Sequence, residues 1–289
     1  MRFAPPEDTE LVAPLGTGAV FQVALVRVSR AAGAAGEIAV CKRLLPRVRA
    51  EPAARSAIVR EALALSRARH PSLPALLRVG TDAHGPFVLE ERVEGTSVRA
   101  LVDAWRAPPR GRPVPPRLVA HLAAAAAEAL AELHELVDEE GPLLLSHGDL
   151  GPDHVILGPI GDVRFVDLGA ARFAGMDPAL ETDDRGTLPF VAPEVARGEA
   201  RPGQAADVYA LAATLLHLAT GGPLGGAEGD AATLLAIGER GLSPDLVARA
   251  AGLEAAGREA LGRALILDPS RRLARARELA NALAAPSAC

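Results

Sequence analysis

Apolar and polar positions change their period about a third of the way along the chain. From Val23 to Val28 they alternate, with Val23, Leu25 and Arg27 on one face and Ala24, Val26 and Val28 on the other, which predicts a strand. Glu37 to Leu44 predicts a second strand, after a turn over Ala31 to Gly36, and Leu76–Gly80 and Pro86–Glu90 predict two more around the turn Asp82-Ala83-His84-Gly85. Between them, Ala54 to Ala68 has helical spacing. Pro71 ends it by disfavouring helical geometry at His70, which becomes a turn or capping residue. From Gly95 onward the pattern is helical. A stiff proline-rich connector, Ala107 to Pro116, precedes a long Ala- and Leu-rich helix from Arg117 to Val137, with Glu128, Glu132 and His134 at exposed or end positions. The expected class is α+β: a strand-rich region over residues 1–92 and a larger helical region over 93–285, as two lobes sharing a cleft.

Two carboxylates stand out against this background. Asp149 lies in Ser146-His147-Gly148-Asp149-Leu150-Gly151-Pro152-Asp153-His154, and Asp167 opens Asp167-Leu168-Gly169. The run Val163-Arg164-Phe165-Val166 between them alternates like one member of a small strand pair, so both can converge on one cleft. Such a pair suits phosphoryl transfer: one carboxylate accepts the proton of an attacking hydroxyl while the other holds a divalent cation against clustered phosphates. Taken singly, each tripeptide is more often an ordinary turn.

Composition narrows the partners. The 289 residues suffice for a full core, and with only 3% aromatics that core must be built of Ala, Leu and Val. A net charge of −5 argues against nucleic acid or an anionic membrane recognised through bulk charge. No run reaches the roughly 18 uncharged apolar residues of a membrane span, and the first residues have no signal-peptide core. Cys41 and Cys289 give neither a metal spacing nor a disulfide framework. A reducing, cytoplasmic setting is the expectation.

Gly16-Thr17-Gly18-Ala19-Val20-Phe21-Gln22-Val23 runs into a strand rather than a helix, unlike a dinucleotide-binding turn, and its two glycines let main-chain N–H groups approach phosphate. Lys42 ends an apolar strand. Glu61 shares a helix face with Ile58 and Leu65, where an unpaired carboxylate is costly, so a buried cation must face it. With His147-Gly148-Asp149 and Asp167-Leu168-Gly169, these residues resemble the protein-kinase superfamily in order from about Leu11 to Leu283. Further matches are Thr187-Leu188-Pro189-Phe190-Val191-Ala192-Pro193-Glu194, Asp207-Val208-Tyr209 and Leu267-Asp268-Pro269-Ser270-Arg271-Arg272. The resemblance implies a bilobal, bacterial-type Ser/Thr protein kinase using ATP and Mg²⁺, or Mn²⁺. Asp149 would then be the base, Asp167 the main metal ligand and Lys42 the phosphate clamp partnered by Glu61. Leu15, Gly16, Gly18, Val23 and Val40 would line the nucleotide site, and Glu90 and Arg92 would meet adenine through main-chain groups behind a gatekeeper, Leu89. It further implies that Asp207 ties down the Asp149 loop and that Arg272 pairs with Glu194.

The departures from the family pattern are Phe21 for the third glycine, Gly148 for the arginine before the catalytic aspartate, Gly151 for a lysine, and His154 for the asparagine that ligates a second metal. Gly148 implies no strict switch by phosphorylation of the activation segment. Gly151 removes a charge from the transition state, and an imidazole at His154 suits Mg²⁺ poorly. The readings that follow are a slow or atypical kinase acting on a protein substrate, a pseudokinase that binds nucleotide and regulates a partner protein, and a small-molecule phosphotransferase, which His147-Gly148-Asp149 also resembles.

Overall fold

The computed structural model describes residues 3–29, 36–109, 111–181, 186–224 and 229–284. The Ala31–Ala35 part of the expected turn and Cys289 lie outside them.

The N-terminal region is one antiparallel sheet with a helix against it. Strands β1 (Thr9–Thr17), β2 (Phe21–Val28), β3 (Glu37–Leu44), β4 (Leu76–Asp82) and β5 (Gly85–Glu91) stand in the order β1-β2-β3-β5-β4. Helix α1 (Pro52–Arg67) lies between β3 and β4 in sequence and starts with a proline in its first turn, where the missing N–H costs nothing. The sheet has two working faces. Ala24, Val26, Ala39, Cys41, Phe87 and Leu89 form a small core with Phe3 on the outer one. The inner face packs Leu44 and Val88 against Ala54, Ile58 and Ala62 of α1, with Phe21 tucked beside them.

The C-terminal region is mostly helical: α2 (Val98–Arg106), α3 (Pro116–His134), α4 (Pro193–Ala196), α5 (Gln204–Thr220), α6 (Asp230–Arg240), α7 (Pro244–Ala248), α8 (Ala255–Ala264) and α9 (Ala276–Ala284). Helix α5 is buried all round, from Asp207 to Ala219, as its nearly uninterrupted Ala and Leu content requires. Strand β6 (Thr96–Ser97) leads into α2. The pairs β7 (Val137–Asp138) with β8 (Gly141–Pro142), and β9 (Val155–Leu157) with β10 (Val163–Phe165), complete the region, with β6 added at the edge of β9. Helix α3 therefore stops at His134 rather than Val137, which has moved into β7. His134 takes the end position of the helix, with its ring largely covered and its Nε2 3.1 Å from Asp207 Oδ2.

A guanidinium joins the two regions. Arg164 of β10 donates to both carboxylate oxygens of Glu91 at the end of β5, at 2.6 and 2.7 Å, and to the Leu73 carbonyl at 2.6 Å. No described helix is long and apolar enough to cross a membrane.

Candidate active site

The cleft between the regions is a cavity of about 900 Å³. Leu15, Gly16, Gly18 and Phe21 roof it, Val23 and Lys42 come from the sheet, and Asp149, His154 and Asp167 rise from below. Each carboxylate is placed by the short strands the alternation predicted. Asp149 precedes β9, Asp167 follows β10, and the register Val163↔Leu157 through Phe165↔Val155 brings their ends together.

His154 sits between them. Its Nδ1 is 2.7 Å from the Asp149 carbonyl and so carries the proton, which turns Nε2 toward Asp167 Oδ2 at 3.7 Å. His147 stacks on it with ring centroids 6.1 Å apart and meets the Val166 carbonyl through Nε2 at 3.0 Å. Burial lowers the His147 pKa, ahead of repulsion from His154. The loop is fixed from beneath by Asp207, which accepts the main-chain N–H groups of His147 at 2.7 Å and Gly148 at 2.9 Å. The Asp149 Oδ1 atom is buried and has no hydrogen-bond partner among the described residues, so the loop presents an acceptor without its donor.

Gly148 has a structural reason beyond the loss of an arginine. Its φ is +79°, and a Cβ there would fall 2.3 Å from the Ala170 carbonyl oxygen, so only glycine lets the two turns approach. Gly151 is different: a Cβ there meets only Phe190 and Thr187 at 3.8 Å, so a side chain fits.

Above the cleft, Lys42 is almost completely buried and faces three carboxylates. Its Nζ pairs closely with Glu61 Oε1 and lies 3.3 Å from Glu90 Oε1 and 3.7 Å from Asp167 Oδ1. Burial alone would lower the Lys42 pKa, but Asp167, Glu61 and Glu90 together raise it well above its usual value. Burial raises Glu61 to about 8 against the opposing pull of Lys42. Burial also raises Asp167, yet Lys42 and then His154 and His147 outweigh it and hold that carboxylate at about 2.

Arg60 is the group that sequence inspection passed over. It is buried next to Glu61 on α1 and donates through Nε to the Gly169 carbonyl at 2.7 Å and through NH1 to the Leu180 carbonyl at 3.2 Å. The helix thereby grips the chain that follows Asp167. The spacing Ala57, Arg60, Glu61, Ala64 on the buried face of α1 carried that signal.

One expectation is corrected. Leu89, expected as a gatekeeper, points away from the cleft. On β5 successive side chains point to opposite faces, and Leu89 packs into the outer core with Cys41 and Phe87, while Val88 and Glu90 share the face of Lys42 and Val40. Glu90 turns its side chain toward Lys42, with Oε1 3.3 Å from Nζ. Its Cα partners are Val40 on one side and Leu76 on the other, so it belongs to the sheet interior rather than to the connecting segment. Arg92 is exposed. Glu61, Glu90, Val40 and Arg92 do not line the cavity that Lys42, Asp149, His154 and Asp167 share.

A profile described as "Protein kinase domain" matches residues 9–281. The chain belongs to the protein kinase family. Among relatives, the putative cyclin-dependent kinase F-2 of Oryza sativa subsp. japonica is 30% identical over 173 residues, covering 57% of this chain and 50% of the relative. CBL-interacting protein kinase 22 of the same plant is 30% identical over 228 residues, covering 73% and 48%. A probable serine/threonine-protein kinase of Corynebacterium efficiens is 29% identical over 234 residues, covering 77% and 32%. This kinase chain therefore spans half or less of the length of those relatives. Kinase structure away from the cleft also follows the sequence: Arg272 meets Glu194 with NH1–Oε1 at 2.7 Å and NH2–Oε2 at 2.8 Å, both buried.

Proposed function

We propose that this domain transfers the γ-phosphoryl group of ATP to a serine or threonine hydroxyl of a protein. The observation that carries the proposal is the convergence of Lys42, Asp149 and Asp167 on one cavity of about 900 Å³, with Glu61 seated behind Lys42. In this reading Lys42 holds the α- and β-phosphates and Glu61 holds Lys42. The substrate hydroxyl donates its proton to the carboxylate of Asp149, which lines the cavity. Its oxygen bonds to the γ-phosphorus as the bond from that phosphorus to the bridging oxygen of ADP breaks.

The residues fit a divalent cation. Asp167 keeps its negative charge, exposes about 39% of its side chain to the cleft, and offers the oxygen ligand that Mg²⁺ or Mn²⁺ prefers. Among the described residues no group of three or more His, Cys, Asp or Glu forms a ready-made metal cage. That agrees with an ion held by one or two carboxylates and by phosphate oxygens. The bound ion would neutralise charge on the transferring group, with Asp167 as its protein oxygen ligand and His154 Nε2 standing beside that carboxylate at 3.7 Å. With Glu90 inside the sheet, the main-chain groups offered to adenine shift by one residue, to Glu91 and Val93.

A second reading has its own observation. His154 already bridges the Asp149 carbonyl and the neighbourhood of Asp167, where an oxygen ligand would otherwise stand. A domain so arranged could bind nucleotide and regulate a partner without turnover. Radiolabel transfer from ATP with Mg²⁺ and with Mn²⁺, against an Asp149→Asn control, decides between them. A kinase loses about 10²–10⁴-fold of its labelling in the control; equal, background labelling in both proteins leaves the non-catalytic reading.

A further inference from the structure

Lys42 is over-supplied with negative charge. An ammonium has three N–H donors; one goes to Glu61, and Glu90 and Asp167 crowd the same nitrogen at 3.3 and 3.7 Å, so an incoming phosphate meets carboxylates already facing it. Counting full charges, one cation and three anions leave the cluster at −2, and at −1 with Glu90 made neutral. Glu90 is 3% exposed, so solvent does little to screen it. Its Oε2, like that of Glu61, is buried with no hydrogen-bond partner among the described residues. Of the three carboxylates, Glu61 holds the closest contact, and Asp167 also faces the histidines. Glu90 has Lys42 as its one ion-pair contact among the described residues, and it stands closer to Nζ than Asp167 does.

We infer that the Glu90 side chain competes with nucleotide phosphate for Lys42, and so sets how strongly this domain binds phosphate-bearing ligands. The inference rests on the reading of the cleft as an ATP site. To bind, a phosphate oxygen must take an N–H from Lys42. The contact given up is the one to Glu90, whose charge then stays buried near the incoming anion. Its effect grows with the number of phosphates and does not touch the base or ribose.

The test compares wild type with Glu90→Gln, which keeps shape and length, by calorimetric titration at pH 8.5 with ATP, ADP, AMP and adenosine, with and without Mg²⁺. Glu90→Met serves as a second neutral variant, and thermal midpoints confirm that each protein is folded. Removing one buried like charge should tighten ATP binding on the order of tenfold, ADP less, AMP least, and leave adenosine within about twofold. Equal tightening for adenosine would show that Glu90 reads the base and would overturn the inference. So would unchanged ATP affinity in both variants while ATP still binds. If neither wild type nor variant binds any of the four, the nucleotide reading of the cleft itself falls, and the competition falls with it.

Discussion

Two buried ionic clusters sit on either side of the cleft, and they are built on opposite principles. In the lower one, Glu194 and Arg272 meet oxygen to nitrogen at 2.7 and 2.8 Å, and Arg272 also donates to the carbonyls of Ile266 at 2.9 Å and Leu267 at 3.2 Å. Its guanidinium further lies 4.9 Å from the centre of the Tyr209 ring. Charge and hydrogen bonding are balanced there. In the upper one, a single cation faces three carboxylates, and two carboxylate oxygens are left without donors. Balance is what a purely structural pair needs, because a buried charge without a partner costs several kcal/mol. Imbalance held in place by the surrounding fold marks a site waiting for another charged group.

The contrast is broken most directly in the lower cluster. Arg272→Ala leaves Glu194 buried and alone, and should cost about 3–5 kcal/mol in denaturant unfolding. A loss within about 1 kcal/mol would place the two clusters on the same footing. Lys42→Met should abolish ATP-dependent transfer yet cost only about 1–2 kcal/mol of stability, since burial already raises the pKa of both Glu61 and Glu90 and each can take up a proton when the cation is gone. A larger loss than that of Arg272→Ala would reverse the comparison.

A third contrast is a slope with pH. Glu61 in the folded protein titrates at about 8, above its ordinary 4.5, so the folded state binds the extra proton between those values. Its contribution is present below about pH 4.5 and is lost as pH rises toward 8, so the nucleotide-free protein should become less stable across that window. Glu61→Gln should flatten the slope. Asp167 acts in the opposite sense and elsewhere: its pKa is held at about 2, below the usual 3.8, so its contribution persists at neutral pH and is lost only as acid titrates it. Thermal midpoints from pH 4.5 to 8.5 separate the two.

Much of this was legible in the residues. The Glu194–Arg272 pair, the seat of Asp207 under the Asp149 loop, and Glu61 on the buried face of α1 each follow from a motif or a helical period. Leu89 and Glu90 did not, for a physical reason. Pro86-Phe87-Val88-Leu89 is apolar on both faces because the sheet is covered on one side by α1 and on the other by Phe3 and its neighbours, so alternation carries no phase there. The register with β3 supplies the phase, and it is a property of pairing rather than of β5 alone. The packing reason for Gly148 was hidden for a similar reason. Its positive φ and the closeness of Ala170 arise from a contact across sequence that no local pattern announces.

The bidentate grip of Arg164 on Glu91 acts as a clasp. It ties the lower region to the sheet at β5, and the sheet runs from there through β3 and β2 to β1 at the far edge. With the hold of Arg60 on the Gly169 and Leu180 carbonyls it makes two clasps between the regions, and the glycine-bearing bend between β1 and β2 lies at the edge of the sheet away from the Glu91 clasp.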